Sequence, residues 1–115
     1  MNWTLTQVAL GGAAGSTLRY LTLSAVAAPT GTLIVNVAGS FAMGVLYVTL
    51  AQRLHPLFLT GLLGGFTTFS AFSLDAIKLW QSHQTLQAAL YTAASVLLSL
   101  AATALGAAIA KGTLA

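Results

Sequence analysis

The chain has 115 residues, no cysteine, four Lys and Arg and a single acid, Asp75; charged residues are 4% of the total and mean hydropathy is +0.90. Soluble domains carry about 25% charged residues, so a charged water-facing surface cannot be built from this chain and it is read as an integral membrane protein. There is no basic cluster to hold phosphates, which removes nucleic acid as a partner, and no thiol, which removes disulfides and thiolate metal sites.

The charges divide the sequence into long neutral stretches: residues 20–52, 54–74 and 79–110 contain none. A spanning helix needs about 20 mostly apolar residues, which predicts four, over residues 4–26, 32–53, 57–79 and 85–110, in a single four-helix transmembrane domain covering 1–115. Pro29-Thr-Gly31, Arg53-Leu-His-Pro56 and Gln81-Ser-His-Gln84 separate them. The first Lys or Arg is Arg19, so no cleavable signal with a positive leading region is expected. Trp3 and Trp80 suit the membrane interface. His55 and His83 fall in expected loops without a partner at metal-ligand spacing.

In the first segment, Gly11 and Gly15 form a small-xxx-small face for close helix packing. Arg19 lies within the same segment, where a central charge costs at least about 2.5 kcal/mol. It either snorkels to the interface or lines a vestibule that attracts anions. In the second segment, Asn36 and Ser40 are four apart and share a face. The Asn36 amide has two N–H donors, which serve either an interhelical hydrogen bond or a pore wall.

The third segment holds the stretch around which the chain is organised, Gly61-Leu-Leu-Gly-Gly-Phe-Thr-Thr-Phe-Ser-Ala-Phe-Ser-Leu-Asp75. Gly64-Gly65 followed by Thr67-Thr68 is a poor helix interior, since glycine costs about 1 kcal/mol relative to alanine. In lipid a broken helix survives only where its freed backbone is buried in protein or lines a cavity, so a break here points to an ion or substrate site. Phe69 and Phe72 share one face, and Ser70 and Ser73 the neighbouring one. Aromatic ring edges are positive and hydroxyls donate hydrogen bonds, so both can hold an anion without a fixed charge; simple packing and back-bonding to i−4 carbonyls is the alternative. In the fourth segment Tyr91, Ser95, Ser99 and Thr103 recur about every fourth residue as one polar stripe, suited to packing or to a hydrogen-bonding wall.

Four helices put both termini and the loop between the second and third on one side, with Arg53 and Lys111; Lys78, and Arg19 nearer that end, are opposite. Two against two leaves almost no orientation bias, so antiparallel copies can pair about a two-fold axis in the membrane plane.

Taken together, Gly11-Gly-Ala-Ala-Gly15-Ser-Thr-Leu-Arg19-Tyr20, Gly31-Thr-Leu-Ile-Val-Asn36-Val-Ala-Gly39-Ser40-Phe-Ala-Met-Gly44 and Gly61-Leu-Leu-Gly-Gly-Phe-Thr-Thr-Phe-Ser-Ala-Phe72 resemble the fluoride channel family (CrcB/Fluc) over most of the chain. The resemblance implies an all-α antiparallel dual-topology homodimer in the bacterial cytoplasmic membrane, with a break in helix 3 and two pores for passive, selective export of fluoride, and no enzymatic activity. It implies that Phe69, Phe72, Asn36, Ser70, Tyr91 and Ser95 line the fluoride path, with Arg19 at the vestibule. It also implies a structural Na⁺ at the dimer interface, held by the backbone carbonyls of Gly64 and Thr67 from both copies. Ala71 stands where the family usually has Thr, Ser16 where Ala is usual, and Asp75 where Glu is common. A small multidrug exporter would want an embedded acid for proton coupling, whereas Asp75 lies near the end of the third segment. A non-conducting assembly subunit would leave Asn36 and the expected break unexplained.

Overall fold

A computed structural model describes residues 3–114, which are helical almost throughout. Helix α1 spans Trp3–Ala25 and α2 spans Thr30–Thr49; a 3₁₀ turn at Gln52–Leu54 leads into a π-helical stretch, Pro56–Leu63. That stretch runs into a short helix α3, Gly64–Phe66, followed by extended residues Thr67 (φ −82°, ψ 159°) and Thr68 (φ −153°, ψ 117°). Helix α4, Phe69–Gln81, and helix α5, Thr85–Leu114, complete the chain.

Among the described residues three segments are long and apolar enough to cross a membrane: Thr30–Thr49, Gln52–Gln81 and Thr85–Gly112. Four such segments are expected from the sequence. The difference lies in α1, which has the length, at 23 residues, but carries Gln7, Arg19 and several hydroxyls. Three of its hydroxyls are internally satisfied: Thr17, Thr22 and Ser24 donate to the carbonyls of Ala13, Leu18 and Tyr20 at 2.7, 2.9 and 2.8 Å. The second segment also ends sooner than residue 53. Leu50 is extended (ψ 139°), and the 3₁₀ turn takes over.

Two helix pairings organise the molecule. Helix α1 packs along the π-helical stretch and α3, while α2 packs along α5, with α4 also against α5. The first pairing depends on backbone approaching backbone. A Cβ on Gly11 would strike the Leu57 carbonyl, one on Gly15 the Leu62 carbonyl, and one on Gly65 would sit 2.8 Å from the Gly12 carbonyl. The second is built alike, with Gly44 against the Thr103 carbonyl and Gly106 against the Phe41 carbonyl. Small residues let membrane helices gain van der Waals contact where lipid removes the hydrophobic drive. Thr103 Oγ1 adds a donor across the α2–α5 seam to the Ser40 carbonyl at 3.0 Å. Gln7, 2% exposed, donates from Nε2 to the Arg53 carbonyl at 3.3 Å and so ties α1 to the 3₁₀ turn.

The α4–α5 connection closes on His83, in the left-handed region at φ 64°. Gln84 N–H donates to the Leu79 carbonyl at 2.9 Å and His83 N–H to the Trp80 carbonyl at 3.1 Å, the paired bonds of a Schellman helix end. Trp3 and Trp80 are 68% and 59% exposed, open to the surroundings as interface residues would be.

Candidate functional site

The interruption between α3 and α4 is held by side chains from two other helices. A continuous helix would pair each N–H with the carbonyl four residues back, and this ladder stops after Thr67, whose N–H and Oγ1 both reach the Leu63 carbonyl, at 3.0 and 2.9 Å. From α2, Asn36 Oδ1 accepts the Thr68 N–H at 2.7 Å, while its Nδ2 donates to the Thr68 carbonyl at 2.9 Å. From α1, Arg19 Nη1 donates to the carbonyls of Gly65 and Thr67 at 2.9 and 3.3 Å. Backbone groups left unmet in lipid cost several kcal/mol each, so these two side chains remove the main penalty against the interruption. Thr68 then starts α4 as its N-cap, its Oγ1 accepting the Ala71 N–H at 3.1 Å.

Restarting the helix at Phe69 aims its first turns. The Phe69 and Phe72 rings meet edge-on with centroids 5.2 Å apart, and Phe72 lies 5.5 Å from the Tyr91 ring of α5. Phe72 is buried at 7% exposure while Phe69 is 75% exposed. Beside them is a cleft of about 340 Å³. The interruption contributes Thr67 and Thr68 to its wall, α2 contributes Asn36 and Ser40, and α5 contributes Ser95, Ser99 and Thr103. All of its lining residues are uncharged.

Ser95 stands apart from the other hydroxyls of α5. Thr92 satisfies itself on the Ala88 carbonyl at 2.8 Å, the usual local solution in a helix. Ser95, 6% exposed, and Thr32, fully buried on α2, both stand by the Tyr91 hydroxyl without a bond of full hydrogen-bond geometry among the described residues. Such loosely held buried hydroxyls are unusual. The spacing Thr32, Asn36, Ser40 on one face of α2 makes Thr32 legible in the sequence, although only the later two draw attention there.

The sequence-derived candidates divide into three groups. Asn36, Phe69, Phe72 and Ser95 come together around the cleft. Tyr91 stands behind Phe72 and donates to Asp75 Oδ2 at 3.0 Å. Ser70 is exposed, its Oγ 3.4 Å from Thr68 Oγ1, and is not part of the lining; Ser73 donates back to the Phe69 carbonyl at 3.0 Å. Arg19 is engaged by the backbone of the interruption, and Gly64 is exposed. Thr68 is the residue that sequence reasoning passes over. Its signature is a threonine placed just before an apolar helical run, masked here by the neighbouring Thr67. Among the described residues no group of three or more His, Cys, Asp or Glu is arranged to hold a metal ion.

Comparison with known proteins agrees with this architecture. The family model described as CrcB-like protein, Camphor Resistance (CrcB), matches residues 6–107. A protein of Cereibacter sphaeroides (strain ATCC 17029 / ATH 2.4.9) named "Fluoride-specific ion channel FluC" is 54% identical, the match covering 96% of this chain and 97% of that protein. Proteins of the same name from Paracoccus denitrificans (48% identical, covering all of both chains) and Rhizobium etli strain CIAT 652 (50% identical, covering 90% of this chain and 93% of that one) are similar over comparable lengths. With the family model spanning nearly the whole helical body and relatives matched end to end, this chain belongs to the CrcB-like family.

Proposed function

We propose that two antiparallel copies of this chain form a passive fluoride-selective channel, with two pores, that exports F⁻ across the bacterial cytoplasmic membrane. Relatives that share half its residues over nearly its whole length are named fluoride-specific ion channels. The observation that carries the reading is the chemistry of the cleft: Ser40, Thr67, Ser95, Ser99 and Thr103 stand with the Phe69 and Phe72 rings in a lining that has no charged side chain. Fluoride is small and strongly hydrated, so a path for it must replace water contacts. Hydroxyls and positive ring edges do so without a fixed cation that would trap the ion, and conduction requires binding weak enough to leave. Phe69, three-quarters exposed beside the cleft, is where a second copy would complete the wall. The alternative of proton-coupled export is not favoured, since the only acid, Asp75, accepts the Tyr91 hydroxyl.

The reading extends to a structural Na⁺ on the dimer axis, bound by the Gly64 and Thr67 carbonyls of both copies. Main-chain oxygens suit a hard cation. The Gly64 carbonyl has no donor among the described residues, because the Thr68 N–H is given to Asn36. Among the described residues the Thr67 carbonyl accepts only a long 3.3 Å bond from Arg19 and keeps a second lone pair. When bound, Na⁺ would neutralise converging carbonyl dipoles and link the two copies.

The test is efflux from liposomes holding the purified protein, with F⁻ and Cl⁻ compared under a K⁺ gradient and valinomycin. Fast F⁻ loss with negligible Cl⁻ loss is expected. Equal or absent loss of both anions from folded, dimeric protein would discard the channel reading.

A further inference from the structure

Among the described residues Asn36 makes no hydrogen bond to another side chain; both ends of its amide are spent on the backbone of one residue, Thr68. In an unbroken helix the Thr68 N–H would bond the Gly64 carbonyl. Here the Asn36 Oδ1 takes that N–H at 2.7 Å, and the Gly64 carbonyl is left without a donor among the described residues. The Nδ2 bond to the Thr68 carbonyl at 2.9 Å fixes the peptide from its other side and keeps Thr68 extended, at ψ 117°.

We infer that Asn36 is the positioning residue of the cation site: by holding the Thr68 amide out of helical register it leaves the Gly64 carbonyl free as a ligand. This rests on the Na⁺ reading above and assigns Asn36 a task other than facing the anion. The chemistry accounts for the residue type. Freeing the Gly64 carbonyl needs the acceptor that takes the Thr68 N–H; the donor adds a second tether, and one short planar group supplies both. A carboxylate offers only the acceptor, a hydroxyl reaches only one of the two backbone atoms, and leucine, of similar shape, offers neither.

The experiment measures thermal unfolding of the purified dimer in detergent as Na⁺ replaces N-methylglucamine at constant ionic strength, and reads the half-saturating Na⁺ concentration. Asn36→Leu keeps the branching at Cγ and loses both bonds; its half-saturating Na⁺ should rise about tenfold or more, the equilibrium effect of a lost buried hydrogen bond. Asn36→Asp keeps the acceptor for the Thr68 N–H and should stay within about threefold of the parent protein, even though its charge beside an anion path suppresses F⁻ flux. An Asn36→Leu protein with the parental Na⁺ response would overturn the inference. So would a dimeric Asn36→Asp protein that has lost the response, which decides the matter alone if Asn36→Leu does not fold. A parent protein indifferent to Na⁺ would overturn the Na⁺ reading and this inference with it, whereas a responsive parent with an unaffected leucine variant would overturn only the role of Asn36.

Discussion

Arg19 reaches from the first helix to the Gly65 carbonyl, with Nη1 and O 2.9 Å apart, across 46 residues of sequence. The same nitrogen lies 3.3 Å from the Thr67 carbonyl. The guanidinium thus sits where the ladder of the third segment ends and its carbonyls converge, the negative end of that segment's dipole. A half-buried cation in an apolar helix is costly, and here the cost is offset by carbonyls that would themselves be costly to leave unmet.

This arrangement separates two roles for Arg19. If the guanidinium holds the interruption, Arg19→Gln should lower the thermal stability of the purified protein by about 1–3 kcal/mol, the cost of leaving buried acceptors unmet, together with a loss of F⁻ flux. Arg19→Lys keeps the charge but not the planar fork and should recover part of both. Flux loss at unchanged stability, with the gap to the parent protein narrowing as ionic strength rises, would instead show that Arg19 acts only by attracting anions at a distance.

Phe72 is fixed between two rings, Phe69 at 5.2 Å and Tyr91 at 5.5 Å. Its edge is the one positive aromatic feature of the cleft that is held rigidly within the protomer. Phe72→Ile keeps an apolar side chain of lower volume, so the fold should survive with a loss of about 1 kcal/mol or slightly more, while F⁻ efflux from liposomes should fall to the level of empty vesicles. Unchanged efflux would remove this ring from the anion path.

The Tyr91 hydroxyl donates to Asp75 at 3.0 Å. Tyr91→Phe leaves the ring stack in place and strips the carboxylate of that donor. Thermal stability should drop by about 1–3 kcal/mol, and Asp75→Asn in the same background should recover much of it by removing the unpaired charge. A double-mutant cycle on thermal unfolding measures the coupling; additivity within about 0.5 kcal/mol would mean that the bond contributes nothing of its own.

How much of this was legible in the sequence depends on whether the signal is local. The helices and their order follow from long neutral stretches cut by Pro29 and by charged or polar junctions, and the close seams follow from the spacing of Gly11 with Gly15. Asn36 stands out as an amide deep in an apolar run, but that its partner is the backbone of Thr68, 32 residues away, depends on how α2 meets the interruption. Ser70, beside the phenylalanines of the third segment, and Ser95, in the polar stripe of the fourth, are both expected to line the anion path. Yet the first turn of α4 leaves Ser70 exposed, whereas Ser95 is buried on α5, the helix that packs against α2 and α4. The restart of the helix at Phe69 was obscured for a similar reason: Gly64-Gly65 reads as the weak point, while the structure keeps both glycines helical and puts the extended pair at Thr67 and Thr68. Gly65 is used for its missing Cβ against α1, and the turn in the chain is supplied by hydrogen bonds from other helices.

Gly64 and Gly15 give the sharpest test of assembly. A Cβ on Gly15 would strike the Leu62 carbonyl within the protomer, whereas one on Gly64 would meet only the Leu59 carbonyl at 3.5 Å, ordinary contact. Gly15→Val should therefore abolish folded protein altogether, since the α1 seam cannot open without losing its packing. Gly64→Val should leave the protomer helical by circular dichroism, because nothing inside it is displaced. If the Gly64 carbonyls of two copies converge on a cation at the dimer axis, the added isopropyl group falls in that gap. Size-exclusion chromatography should then show Gly64→Val shifted toward monomer, with F⁻ efflux lost. A fully dimeric Gly64→Val protein with parental efflux would place Gly64 on an open surface, away from both the partner and the ion.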